Sequence, residues 1–109
     1  MGRSRIRIVP QRGRVLFLLF LFVAASGLGC QTRRLYREAE AAVEAARDAG
    51  AARFAPFEFV SAEEYLQEAE AQLKESDFKT SERYSQKARE FAEAALARSM
   101  EARQQMLVR

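Results

Sequence analysis

From Leu35 onward, apolar residues recur at alternating steps of three and four, a spacing that places them along one stripe of an α-helix and nowhere useful on a strand. Leu35, Ala39, Ala42, Ala46 and Ala49 form the first such row, with Val43 flanking it and Glu38, Glu40, Glu44, Arg47 and Asp48 on the other faces. Phe59, Ala62, Leu66, Ala69 and Leu73 form the second. Tyr84, Ala88, Phe91 and Ala95 open the third, which continues through Ser99, Ala102 and Met106. The rows predict helices over about residues 32–49, 56–75 and 79–106.

The breaks between the rows carry their own signals. Gly50 is a helix stop, since glycine accepts the left-handed conformation that closes many helices. Pro56 suits a first helical position, where its missing N–H costs nothing. Ser61 with Glu64 also reads as a capping box, but the start at Pro56 keeps Phe59 on the apolar row. Ser76-Asp77-Phe78 supplies the second turn and a cap. Connections of about six and three residues make neighbouring helices antiparallel. The expected fold is therefore all-α, an antiparallel helical hairpin or a three-helix bundle.

Ahead of these rows stands a different kind of sequence. Met1 to Arg14 is basic, Val15 to Ala25 is unbroken apolar, and Ser26-Gly27-Leu28-Gly29-Cys30 follows with mostly small residues. This is the order of a secretory signal. The apolar run of about 11 residues reaches roughly 16 Å as a helix, against a hydrocarbon core about 30 Å thick. The alternative is a signal anchor that stays in place, giving a bitopic membrane protein whose helices form a coiled-coil oligomer.

Charge follows the same division. The whole chain carries +3, but Arg3, Arg5, Arg7, Arg12 and Arg14 lie in the leader and no acidic residue precedes Glu38. The part from residue 30 onward holds 13 basic against 15 acidic side chains, interspersed, so no basic stripe for nucleic acid exists. There is no histidine and only one cysteine, which excludes a His/Cys zinc site, a Ser-His-Asp triad and a Cys-His dyad. Glu63, Glu64, Glu68, Glu70 and Glu75 read as a solvated helix face. No metal, cofactor or small-molecule substrate is expected, and the chain is read as non-enzymatic.

Leu28-Gly29-Cys30 resembles the lipobox of bacterial lipoproteins. That resemblance implies diacylglyceration of the Cys30 thiol, cleavage before Cys30 and acylation of the new amino terminus, with palmitate as a typical chain. Gln31, where an aspartate would imply inner-membrane retention, implies the outer membrane facing the periplasm. The implied organisation is a signal peptide over residues 1–29, a lipidated tether over 30–34 and an alanine-rich helical domain over 35–107.

A second resemblance lies in the helical part. Ala49-Gly50-Ala51-Ala52-Arg53-Phe54-Ala55-Pro56-Phe57-Glu58, followed by Ser61-Ala62-Glu63-Glu64-Tyr65-Leu66 and Ala69, is similar to a family of short bacterial lipoprotein domains known as domain of unknown function 4398. The similarity covers about residues 35–95 and implies a cell-envelope location without an activity. Ser76 to Ala88 also resembles the turn and second helix of a tetratricopeptide repeat. With no second copy at the 34-residue period, this implies one helix pair and no peptide-binding superhelix.

Alanine rows allow close helix approach but bury little area, so a domain with few large anchors is expected to pack on another envelope protein or on itself. Phe54, Phe57 and Phe59, around Pro56, are read as a core plug or as a partner contact. The reading as a whole is a lipid-anchored envelope scaffold or interaction module, bound to the membrane through Cys30.

Overall fold

The computed structural model describes the backbone of residues 2–108 and the side chains of residues 13–19 and 29–108. Four helices follow in order: α1 (Gly2–Asp48), α2 (Ala51–Phe54), α3 (Pro56–Lys74) and α4 (Phe78–Val108). Contacts divide the chain into two units, Met1–Cys30 and Gln31–Arg109. The first unit is helical, and its Val15, Leu16, Phe17, Leu18 and Leu19 side chains are exposed. Among the described residues no helix is long and apolar enough to cross a membrane.

The second unit is a three-helix bundle of residues 31–48 of α1 with α3 and α4, the single turn α2 bridging the first corner. Its core joins Val43 and Ala46 of α1, Ala51 of α2, Phe59 and Ala62 of α3, and Ala92 and Ala95 of α4, together with Ala55. All-α architecture is thus observed. The helix expected from Thr32 instead belongs to an element that begins at Gly2. Leu, Ala and Arg are frequent in residues 14–48 and favour helix, and no proline falls between Pro10 and Pro56 to stop it.

Both corners are closed by backbone chemistry legible in the residues. Gly50 adopts φ 85°, and its N–H donates to the Arg47 carbonyl at 3.0 Å. Helix α3 starts at Pro56, as the phased apolar row requires. It ends in a Schellman turn: Asp77 N–H donates to the Gln72 carbonyl (2.9 Å) and Ser76 N–H to that of Leu73 (3.1 Å). Asp77 then caps α4, its Oδ1 accepting from the Thr80 N–H at 3.3 Å.

Ser76 holds the left-handed φ of 63° without being glycine. The two corners therefore predict opposite responses. Gly50→Ala would place a methyl 3.3 Å from the Phe54 ring at positive φ, and is expected to cost about 1–2 kcal/mol. Ser76→Gly relieves its turn and is expected to add roughly 0.5–1 kcal/mol, both read from urea midpoints.

The α3 row is as the sequence predicts, with Phe59, Ala62 and Ala69 buried and Leu66 and Leu73 half-buried. On α1 the centre of the buried row is Thr32, Ala39, Val43 and Ala46, while Leu35, Ala42 and Ala49 flank it. On α4 it is Ser81, Ser85, Ala88, Ala92, Ala95 and Ser99, stepping by 4, 3, 4, 3 and 4. Tyr84 and Phe91 lie half-buried beside it, and Met106 is exposed. Close helix approach explains the difference, because the line of nearest contact admits only small side chains and displaces aromatic ones to its edges.

Hydroxyls on that line find partners across and along the helices. Ser81 Oγ donates to the Ala69 carbonyl of α3 at 2.8 Å, and Thr32 Oγ1 donates to Glu82 of α4 at 2.8 Å. Ser99 Oγ donates back to the Ala95 carbonyl at 2.7 Å. Ser85 Oγ is buried and unbonded among the described residues. Ser85→Ala removes this orphan and improves helix propensity, so we expect a gain of about 1 kcal/mol in a urea titration.

Candidate functional site

Cys30 ends the first unit, its thiol free and exposed, with Gly29 half-buried beside it. The Leu28 side chain, the third residue of the expected cleavage region, lies outside the described residues, as do the side chains of Arg3, Arg5, Arg7 and Arg12. Within the next two turns, Arg33 and Arg37 are exposed, and Arg34 sits 3.8 Å from Glu38.

The three phenylalanines around Pro56 are separated by the fold. Phe59 is 5% exposed and belongs to the core, with the Arg47 guanidinium 5.6 Å from its ring centroid. It is therefore no partner contact, because the helical phase from Pro56 turns it toward α1 and α4. Phe54 is half-buried under Gly50, with the Arg53 guanidinium over its ring at 5.4 Å. Phe57 alone is open, 72% exposed on the outer side of α3.

Phe57 opens a ladder of four rings that the sequence did not reveal. It meets Phe91 edge-on at 6.4 Å, Phe91 stacks on Tyr65 at 5.6 Å and 10°, and Tyr65 meets Tyr84 at 6.0 Å. Two rings come from α3 and two from α4, so only the register between the helices brings them together. An open groove of about 510 Å³ lies beside three of these rings, lined by Phe57, Ser61, Glu64, Tyr65 and Glu68 of α3 and by Phe91 of α4.

Several charged side chains elsewhere on the bundle are paired. Glu58 is nearly buried and pairs with Arg98 of α4 at 2.7 Å. Arg89 of α4 reaches Glu38 of α1 at 3.3 Å and Glu93 at 2.9 Å, while Arg47 bonds Glu44 and lies 3.8 Å from Glu63. Among the described residues no cluster of three or more carboxylate or cysteine side chains gathers as a metal site would.

Tyr36 of α1 packs near two carboxylates, Glu40 and Glu70. Burial, then the negative charges of Glu70 and Glu40 and a hydrogen bond to Glu40, push it up from the ordinary 10.0 to about 12. The folded chain therefore keeps this proton where the unfolded chain has lost it, so the associated stability is present below pH 10 and is withdrawn as pH rises toward about 12. In Tyr36→Phe the urea midpoint should fall less steeply over that interval.

Fold and side chains of the second unit together define a lean, alanine-seamed three-helix bundle with an aromatic groove on α3 and α4. Over residues 34–108 the chain matches the family described as domain of unknown function (DUF4398), and it belongs to that family. No curated protein and no solved structure matches it.

Proposed function

We propose that the protein is a lipid-anchored component of a bacterial cell envelope whose helical bundle is a non-enzymatic scaffold or interaction module. The observation that carries this reading is Cys30. It is the chain's one cysteine, its thiol is exposed, and it stands after a basic and then apolar leader at the end of the first compact unit. Val15 to Leu19 present an exposed apolar stretch of the kind a signal h-region needs.

Residues 1–29 are the signal peptide in this account, 30–34 the tether and 35–107 the working domain. Lipid supplies the anchor, since each buried methylene contributes about 0.8 kcal/mol and two or three chains together hold firmly. Gln31 favours the outer membrane, facing the periplasm. The helix pair α3 and α4, with its Asp77-capped turn, serves as a tetratricopeptide-like hairpin that presents a surface to another envelope protein. The leader's arginines leave with it, which removes the basic excess and with it nucleic acid as a partner.

Metabolic labelling tests the anchor. Cells supplied with radiolabelled palmitate should label the full-length protein and not its Cys30→Ala variant. Equal labelling of both, or of neither, overturns the reading.

A further inference from the structure

We propose that the groove between α3 and α4 is a docking site for a basic segment of a partner protein, whose arginine or lysine side chains lie along the ring ladder and pair with Glu64 and Glu68. This deepens the interaction-module reading and rests on it for the existence of a partner.

Three observations converge on a cationic occupant. First, Phe57, Tyr65 and Phe91 line the groove and, with Tyr84 behind Tyr65, form a continuous run of rings, and aromatic faces carry negative potential that attracts a guanidinium or ammonium group. Long basic side chains suit such a row because their methylene stems cover apolar surface while the head stays polar. Second, Glu64 and Glu68 line the same groove and, among the described residues, enter no ion pair or hydrogen bond. Their neighbours Glu63 and Glu70 do have partners, in Arg47 and Lys74. Lys87, at the α4 register between Tyr84 and Phe91, is engaged by Glu90 at 3.8 Å.

Third, the two carboxylates cannot be covered without compensation. Any partner that fills the groove over Phe57 and Tyr65 also takes water from Glu64 and Glu68, which line it one helical turn apart. An apolar partner would leave both charges unpaired and dry, and an acidic one would add repulsion. A segment bearing two cations about one turn apart resolves the charge and uses the rings at once.

The test uses the full-length protein in detergent micelles with carbon-13-labelled tyrosine rings. Tyr36 is the internal control, because its contacts are with Glu40 and Glu70, away from the groove residues. The probes are a helical peptide with two arginines four residues apart and the same peptide with citrulline, a neutral isostere, at both positions. The arginine peptide should shift Tyr65, the tyrosine that lines the groove, and leave Tyr36 unmoved, with the citrulline peptide about tenfold weaker.

Glu64→Gln with Glu68→Gln should weaken the arginine peptide by a similar factor, and Phe57→Ser should weaken both peptides. Helix content by circular dichroism confirms that these exposed substitutions leave the fold intact. No ring response at millimolar peptide overturns the proposal, as does equal binding of the citrulline peptide or a response shared equally by Tyr36. A protein that binds the arginine peptide but carries no lipid on Cys30 refutes the anchor alone. An anchored protein whose rings do not respond refutes the docking site alone.

Discussion

Replacing Phe59 with alanine is expected to remove most of the bundle's stability, by about 3–5 kcal/mol. Few substitutions elsewhere in the chain should cost as much. Phe59 is the one large aromatic side chain in a core otherwise built from Val43 and alanines 46, 51, 55, 62, 92 and 95. Most of the buried neighbours are alanines fixed to helix backbones, so only the half-buried Leu66, Phe91 and Leu96 at the edge of the cluster can move inward to fill the space. The cation above the ring, Arg47, loses its platform as well. Small domains hold about 5–15 kcal/mol in all, and a 79-residue bundle seamed with alanine belongs at the low end. Thermal unfolding followed by circular dichroism should show a midpoint lowered by about 4–8 °C for each kcal/mol lost. Phe57→Ala, two residues away and exposed, should shift that midpoint hardly at all.

The second large effect concerns location and processing. Cys30→Ala removes the only thiol that can take a lipid, and in this account lipidation precedes cleavage. The variant should therefore accumulate as a precursor that keeps residues 1–29, seen as a slower band on a denaturing gel. Its apolar run is too short to replace two or three acyl chains as a firm anchor, so alkaline washing should release far more of it than of the parent. A Cys30→Ala protein processed and located like the parent would sink the account.

Much of the bundle is visible in the chain before folding is considered. Gly50, Pro56 and Asp77 mark both corners because each acts through its own backbone geometry or a local cap, and neither depends on distant contacts. The α3 row is equally legible, since Phe59 and Leu66 are large and fall on the buried face. The α1 and α4 rows are less so. Hydrophobic patterning gives weight to Leu35, Tyr84 and Phe91, whereas the helices meet along Ser81, Ser85, Ala88 and Ala92. Serine is weakly polar in sequence and yet small enough for the contact line, where its hydroxyl can return to a carbonyl.

The candidate sites differ in the same way. Cys30 stands out in the sequence because it is single and follows a basic and then apolar stretch. The aromatic ladder does not, because Tyr65 and Tyr84 lie in separate rows and their meeting at 6.0 Å requires the α3–α4 register. The trio around Pro56 looked uniform as sequence, and helical phase then divided it into one core residue, one half-buried residue and one exposed ring.

The central claim is that Cys30 becomes the lipid-bearing first residue of the mature protein. Mass spectrometry of the amino-terminal peptide, taken from protein isolated from its own membrane fraction, tests this most directly. The expected peptide begins at Cys30, with a diacylglyceryl group on the sulfur and an acyl chain on the amino group. A peptide that retains residues before Cys30, or one with an unmodified Cys30 thiol, would contradict it.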